Sequence, residues 1–183
     1  MSLDTGAHPC TMTDIENFIT NEEATTIKDS ILEDEPKIKK LGPDIYPGIS
    51  GDSLTGRYSV YNWLTHERIG PILKPKLAKL FPNKWIQMWA NVFRYNEGIE
   101  PHWHSLEDRV SGNLYIAGPE NSTTCYLGIG HVPNKTGCLT YFPSNLVHWV
   151  VPNLSDIPRV SMAFDTIDFQ KTHVHLQLKT QDD

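Results

Sequence analysis

The chain has 183 residues, of which 39% are hydrophobic, and 16 basic against 22 acidic side chains give it a formal charge of −6. This length allows one well-buried core and is typical of a single domain. No lysine- or arginine-rich block is present, so the sequence gives no electrostatic case for binding nucleic acid. The longest apolar runs are too short to cross a bilayer, so we expect no membrane partner.

Cysteine usage and the first residues bear on the compartment. Cys10, Cys125 and Cys138 are widely spaced, odd in number and form no CxxC pair for zinc or redox chemistry. This usage suits a reducing interior. The N-terminus lacks the basic start and apolar segment of a secretory signal. We therefore expect a cytoplasmic protein, and the sequence does not indicate its oligomeric state.

Two capping boxes predict helix starts near the N-terminus. Residues 13–16 and 20–23 both read Thr-x-x-Glu, a pattern in which the hydroxyl and the carboxylate satisfy free amides at the start of a helix. The second box precedes apolar residues at helical spacing, which predicts a helix over roughly residues 22–34. This helix should end before Pro36.

The next segments predict a loop and then short helices. Residues 41–57 are rich in Gly, Pro, Asp and Ser, a composition typical of loops. Helical spacing of apolar residues returns over residues 69–80. Pro71 and Pro75 should divide that segment, because a proline inside a helix removes a hydrogen bond and clashes with the preceding turn.

From residue 85 onward the chain changes to short segments rich in β-branched and aromatic residues, separated by turn residues. Many short strands at such intervals predict a sandwich or barrel. The predicted strands are 85–93, 109–117, 123–127, 138–142, 147–151, 159–164 and 172–178. We therefore expect one domain over 1–183, with 1–84 as helical and loop support and 85–178 as a β-core.

Histidines in the β-rich half are spaced for metal binding. His102 and His104 are two positions apart, so a strand would present both on one face. His148, in a later predicted strand, is the natural third ligand. Imidazole suits iron, copper, nickel or zinc, so ligand type alone does not choose the metal. An isolated His-x-His is more often a surface or core pair, and a second one at 173–175 predicts only an exposed strand.

One arginine follows His148 on the next predicted strand. Arg159 shares a strand face with Ser161, since the two are again two positions apart. A buried guanidinium needs an anion and binds a carboxylate through two parallel hydrogen bonds. The alternative is a structural arginine paired with Asp156 or Asp165.

Together these segments resemble the 2-oxoglutarate- and Fe(II)-dependent oxygenases. The resemblance covers about residues 85–165 and runs in the order N-V-F-R-Y-x-x-G-x-x-x-H-x-H, S-G-N-L-Y, G-x-L-x-x-F-P-x4-H and R-x-S. More narrowly, the sequence looks like a compact group of oxygenases related to prolyl hydroxylases. The order and spacing of the parts make the match specific.

The resemblance implies a mainly β fold, the double-stranded β-helix or jelly-roll barrel shared with cupins, with N-terminal helices packed on it. In that family a His-x-Asp/Glu pair and a distal histidine hold Fe(II) and leave positions for 2-oxoglutarate and O2. The implied activity is a dioxygenase that hydroxylates its substrate and releases succinate and CO2. The substrate is a small molecule or a peptidyl group, and the fold does not say which.

The resemblance also assigns the metal ligands. His102 takes the position of the first histidine, and His148 takes that of the distal histidine. The acid position holds His104, which makes the metal centre one charge more positive and leaves no carboxylate among its ligands. Glu107 or Asp108, a few residues on, would be the alternative third ligand.

The resemblance places further residues around 2-oxoglutarate. Arg159 and Ser161 occupy the position that binds the far carboxylate of the cosubstrate. Tyr115 falls where a related tyrosine often touches the same carboxylate. Tyr95 or Asn91 would line the near end.

Two other functions stay open at this point. A cupin-type dioxygenase holds its metal with three histidines and uses O2 without a keto acid, but it has no need of the carboxylate clamp that Arg159 and Ser161 would form. A non-catalytic metal-binding β-barrel would release no succinate with any substrate.

Overall fold

A computed structural model describes residues 12–42, 53–104 and 110–179. Within these ranges the helices are α1 (Asn21–Lys39) and α2 (Gly70–Leu80), with single 3₁₀ turns at Gly56–Tyr58 and Trp63–Thr65. The strands are β1 (Thr13–Ile15), β2 (Trp85–Phe93), β3 (Ile99–His102), β4 (Val110–Ala117), β5 (Thr123–Tyr126), β6 (Gly130–Pro133), β7 (Leu139–Pro143), β8 (His148–Val150), β9 (Arg159–Ile167) and β10 (Leu176–Gln177).

The described strands form two antiparallel sheets. One sheet has the order β1-β7-β4-β9-β2-β10, and the other has the order β3-β8-β5-β6. Most neighbours come from distant parts of the sequence, as where β9 lies between β2 and β4, whereas β5 and β6 are consecutive. The predicted mainly β jelly roll is therefore confirmed. No helix in the described ranges is both long and apolar enough to span a membrane.

Strand β9 separates two environments, because successive side chains of a strand point to opposite faces. Val160, Met162 and Phe164 are at most 1% exposed and belong to the hydrophobic core. Arg159 and Ser161 point the other way and line a cleft between the two sheets. One face of the larger sheet thus supports the core, and the opposite face carries polar groups.

Helices α1 and α2 contribute to the core from the other side. Ile27 and Ile31 of α1 and Leu73 and Leu77 of α2 are fully buried in the same cluster as the apolar residues of β9. Fully burying side chains of this size stabilises the fold by about 1.5–3 kcal/mol each. The helices therefore hold the larger sheet in place behind the cleft.

Only one of the two predicted capping boxes starts a helix. At the start of α1, the Glu23 amide donates to Thr20 Oγ1 at 3.2 Å, and the Thr20 amide donates to Glu23 Oε2 at 2.8 Å. The prediction for residues 13–16 is wrong. Thr13–Ile15 pairs with β7, so the sheet satisfies the backbone that a helix would have used.

Both helices continue through a proline that was predicted to break them. Helix α1 continues through Pro36 to Lys39, and α2 is one helix with Pro75 inside it. Pro71 lies in the first turn of α2, where its missing N–H costs nothing. Burial of the apolar faces of both helices offsets the hydrogen bonds lost at the interior prolines.

The C-terminal prediction is only partly right. Within residues 172–178, only Leu176–Gln177 forms a strand. The second His-x-His lies in a turn rather than on an exposed strand. His173 is exposed, but His175 is 5% exposed and its Nδ1 lies 2.8 Å from Thr172 Oγ1. Local turn geometry thus outweighs the β-branched composition of this segment.

The predictions of the remaining strands and of the loop agree with the structure only in part. The strand 85–93 is confirmed, whereas β3 and β6 were not predicted. Residues 43–52 of the predicted loop lie outside the described residues, as do Cys10 and residue 109. The end of that loop forms the 3₁₀ turn Gly56–Tyr58. Cys125 and Cys138 are free thiols.

A buried carboxylate joins α1 to the β-core. Glu35 is 4% exposed and accepts hydrogen bonds from Arg94 Nη1 at 3.0 Å and Nη2 at 2.7 Å. Arg94 follows directly after β2. The pair therefore connects the helix to the strand that forms the cleft wall.

We expect Arg94→Met to lower the free energy of unfolding by roughly 1–3 kcal/mol, because it leaves a buried charged acceptor without its main donor. Urea unfolding measures this change. Lys37→Met on the same helix is the control, since Lys37 is largely exposed and exposed ion pairs contribute about 0–1 kcal/mol. Equal effects of the two substitutions would contradict a stabilising role for the Arg94–Glu35 pair.

Candidate metal centre

Three histidine side chains meet in the cleft between the sheets. His102 ends β3 and His148 begins β8, and the two are direct cross-strand partners. His104 lies two residues beyond β3, where its amide donates to the Ser144 carbonyl at 2.9 Å. One ligand atom from each ring lies within 4.8 Å of the other two. The structure thus brings together the three predicted ligands, although His104 is not in a strand.

Backbone carbonyls fix the orientation of two of the rings. His102 Nδ1 lies 2.8 Å from the carbonyl oxygen of Glu100, and His148 Nδ1 lies 2.9 Å from that of Leu146. A carbonyl oxygen only accepts, so Nδ1 of each neutral ring carries the proton and Nε2 keeps its lone pair. Both rings therefore present a metal-binding nitrogen to the cleft.

A carboxylate fixes the third ring. His104 Nδ1 lies 2.6 Å from Asp165 Oδ1, which also accepts a 2.6 Å hydrogen bond from Ser111 Oγ. Asp165 and Ser111 are cross-strand partners on β9 and β4. This role of Asp165 was not predicted from the sequence, where Asp165 was an alternative partner for Arg159. The available signal was alternation along β9, which puts Asp165 on the same face as Arg159.

Burial keeps His102 and His148 uncharged. Desolvation is the main cause that lowers the pKa of His102. The pKa of His148 is lowered to about 3, first by desolvation and then by its two neighbouring histidines. Neutral imidazole is the form that binds metal, so these ligands need not lose a proton near neutral pH.

Arg159 is a buried cation in the same cleft. It is 3% exposed, and its Nε, Nη1 and Nη2 donate to the hydroxyls of Ser122, Ser161 and Thr124 at 3.2, 3.1 and 3.1 Å. Burial lowers its pKa to about 10, which leaves it protonated at neutral pH. Hydroxyls are neutral, so the charge itself has no counterion among them.

The alternative of a structural ion pair at Arg159 is not found. Among the described residues, no carboxylate lies within salt-bridge distance of Arg159, and Asp165 is engaged by His104. A buried charge without a counterion is costly. The arrangement therefore favours an anionic ligand at this end of the cleft.

The remaining predicted cosubstrate residues fall in different places. Asn91 lines the cleft opposite Ser161 on the neighbouring strand. Tyr115 is the cross-strand partner of Ser161 and is buried beside Arg159, with its ring 5.6 Å from the guanidinium carbon. Tyr95 is 63% exposed and does not line the cleft. Strand β2 ends at Phe93, so Tyr95 follows it out of the sheet, and of the two residues predicted for the near end only Asn91 lines the cleft.

The cleft has the mixed polar and apolar lining of a small-molecule site. Beside the histidines and Arg159, its walls include Trp89, Phe93, Ile99, Phe142 and Val150. The Oδ1 atom of Asn91 is buried there without a hydrogen-bond partner among the described residues. An unsatisfied buried acceptor costs about 1–3 kcal/mol, which a bound donor would recover.

The alternative third ligands cannot be placed. Glu107 and Asp108 both lie outside the described residues, within the gap 105–109. The described residues by themselves bring three histidine rings together, since a ring nitrogen of His104 lies within 4.8 Å of one from each of the other two.

The low pKa of His148 predicts a pH-dependent stability of the metal-free protein. Between pH 6.5, the ordinary histidine value, and about 3, the unfolded chain binds a proton at His148 that the folded protein does not. The free energy of unfolding should therefore fall as the pH drops below 6.5. His148→Gln removes this contribution, so the stability difference between parent and variant should shrink from pH 7 to pH 4.5. Urea unfolding with chelator measures it, and a pH-independent difference would contradict the desolvation of His148.

No family model matches the sequence, and neither does any curated protein. Solved structures do match it. A viral collagen prolyl hydroxylase from Paramecium bursaria Chlorella virus-1, solved with 2-oxoglutarate, is 12% identical with a TM-score of 0.59, covering 92% of this chain and 100% of that chain. A prolyl hydroxylase from Trichoplax adhaerens, bound to a hypoxia-inducible-factor peptide, is 14% identical with a TM-score of 0.62, covering 87% and 84%.

HygX from Streptomyces hygroscopicus, solved with nickel, 2-oxoglutarate and hygromycin B, is 11% identical with a TM-score of 0.62, covering 87% of this chain and 85% of that chain. At such low identity these similarities concern the fold. The chain therefore has the double-stranded β-helix fold of the 2-oxoglutarate- and Fe(II)-dependent oxygenases, as the resemblance in its sequence implied.

Proposed function

We propose that this protein is a 2-oxoglutarate- and Fe(II)-dependent dioxygenase that hydroxylates a small-molecule or peptidyl substrate and releases succinate and CO2. The observation that carries the proposal is the presence, in one cleft, of a three-histidine cluster and a buried arginine without a carboxylate partner among the described residues. The two features match the two ends of a keto acid that chelates a metal and holds a free carboxylate beyond it.

The histidine cluster fits a metal ion by the chemistry of its donors. In His102 and His148 the proton is held on Nδ1 by a backbone carbonyl, and in His104 Nδ1 faces a carboxylate. In the neutral rings the three Nε2 atoms then carry the lone pairs, a donor set that suits iron and other borderline metals. When bound, iron supplies the redox chemistry with O2, and the protein supplies orientation and a sheltered pocket.

The arginine end fits a carboxylate. Arg159 is held by Ser122, Thr124 and Ser161, so its guanidinium has a fixed plane before any ligand arrives. A carboxylate would pair with this plane through charge-assisted hydrogen bonds. Ser161 lies beside it on the cleft face and can donate its own hydroxyl proton to the same group. These residues would thus hold the far end of 2-oxoglutarate.

The cleft walls would exclude water from the reacting groups. Trp89 stacks on His104 with ring centroids 5.6 Å apart, and Phe142 packs against His148 at 4.8 Å. Apolar contacts on the metal-facing rings limit rotation of the rings. The substrate would lie beside the metal, against this apolar lining.

A three-histidine dioxygenase that uses no keto acid is the second candidate. The ligand set favours it, because the acid position of the usual triad holds His104. The buried guanidinium of Arg159 favours the first candidate, since an enzyme without a keto acid has no need of a carboxylate clamp. The solved 2-oxoglutarate complexes of similar fold support the same choice.

Removing single histidines tests the metal centre. His104→Asn keeps a donor in the place of Nδ1, facing Asp165, but cannot reach the metal. We expect His104→Asn, His102→Ala and His148→Ala each to lower Fe(II) affinity by at least about tenfold. Anaerobic titration with assay of bound iron per chain measures this. His173→Ala, in the exposed turn of the other His-x-His, is the control and should bind like the parent. Equal iron in the parent and His104→Asn would remove His104 from the ligand set.

Arg159→Lys tests the cosubstrate. Lysine keeps the charge but loses the planar fork, so we expect 2-oxoglutarate to bind about ten- to a hundredfold more weakly, the value of one charged hydrogen bond. Iron affinity should change little. Arg68→Lys, at an exposed ion pair with Glu33, is the control.

Titration of 2-oxoglutarate into the iron-loaded proteins gives the constants, and circular dichroism verifies folding of each variant. An unchanged constant in Arg159→Lys would leave Arg159 a structural residue. A parent that binds iron but forms no succinate from 2-oxoglutarate would favour the second candidate.

A further inference from the structure

His104 is the histidine with the least regular backbone and the most elaborate support. It lies beyond the end of β3, yet its side chain is only 11% exposed. Its amide bonds to Ser144, its ring stacks on Trp89 at an interplanar angle of 29°, and its Nδ1 contacts Asp165. The other two histidines lie in strands and use only backbone carbonyls at Nδ1. The carboxylate contact is therefore specific to the departure from the usual ligand pattern.

The hydrogen-bond roles around Asp165 are fixed by its partners. Ser111 Oγ donates to Oδ1 of Asp165, and the same oxygen lies 2.6 Å from His104 Nδ1. Asp165 has a side chain 15% exposed and is held in register by β4 and β2. An ionised carboxylate only accepts, so Nδ1 carries a proton, and in the neutral ring Nε2 then carries the lone pair. One tautomer and one ring orientation are thereby selected.

The same carboxylate supplies charge. Three neutral imidazoles leave the full charge of a divalent cation uncompensated, whereas an aspartate ligand would remove one unit. Asp165 places one negative charge directly behind the His104 ring. A carboxylate in this position raises the basicity of the imidazole and is a recurrent support of metal-binding histidines.

We propose that Asp165 is the positioning residue of the metal centre. It orients His104, and it places behind that ring the negative charge that three histidine ligands do not supply. This inference rests on the proposed metal site and deepens it. Ser111 is the support of Asp165, since it holds the carboxylate oxygen from the neighbouring strand. The negative charge of the usual acid ligand is thus displaced outward rather than lost.

The first test compares metal affinity in variants at Asp165. Asp165→Asn keeps an oxygen acceptor but removes the charge, and Asp165→Ala removes both. We expect Co(II) affinity, measured by competition with a chelator, to fall ten- to a hundredfold in Asp165→Ala and by a smaller factor in Asp165→Asn. Asp168→Ala, at an exposed ion pair with Lys84 just beyond β9, is the matched control and should stay within about threefold of the parent. Asp165→Ala with the affinity of the parent would overturn the inference.

The second test needs no metal. In the metal-free parent at pH 8, nitrogen NMR of labelled histidine should show His104 protonated at Nδ1 and free at Nε2, and Asp165→Ala should show a mixture of tautomers. A single, unchanged tautomer in Asp165→Ala would overturn the orienting role. This readout also separates two failures, because a parent that binds no metal would contradict the proposed function while the tautomer still reports on Asp165.

The third test exchanges the charges. The side-chain oxygen introduced by His104→Asp would occupy the place of Nδ1, close to Asp165 Oδ1, so two carboxylates would repel each other. Adding Asp165→Asn should then raise Co(II) affinity in the His104→Asp background, although it lowers the affinity of the parent. An effect of the same sign in both backgrounds would show that Asp165 does not act through position 104.

Discussion

The alternation of side chains along β9 is the constraint on which both the core and the cleft depend. Val160, Met162 and Phe164 face the helices, whereas Arg159, Ser161 and Asp165 face the opposite sheet. A shift of one residue in register would exchange the two sets and bury charged groups in the core. Hydrogen bonding to β2 and β4 on both sides prevents such a shift. Packing of the core and position of the site are therefore set together.

Local patterns predicted the elements whose signals lie within a few residues. The strand 85–93 and the capping box at Thr20 agree with the structure, because alternation and capping are local properties. The breaks expected at Pro36 and Pro75 did not occur, since apolar burial across the whole helix outweighs the loss of one hydrogen bond. Thr13–Ile15 was misread because its partner, β7, is far away in the chain.

The residues of the candidate site also divide into those that a local pattern indicates and those that depend on distant contacts. The spacing of His102, His104 and His148 was readable from the sequence, and the structure brings these rings together. The contact between His104 and Asp165 joins residues 61 positions apart and depends on the pairing of β4 with β9, so no local pattern shows it. Tyr95 lies outside the cleft because β2 ends at Phe93, which its place in a motif does not indicate.

The hydroxyl groups around Arg159 hold its side chain in a fixed position before a ligand binds. Ser122 directly precedes β5 and Thr124 lies in it, whereas Ser161 lies on β9, so the guanidinium bridges the two sheets before any anion arrives. No ion pair among the described residues must be broken to admit a carboxylate. The arginine side chain loses its conformational entropy on folding and not on binding, so this end of the barrel is preorganised for a ligand. A carboxylate bound to Arg159 would strengthen the contact between the two sheets with little rearrangement.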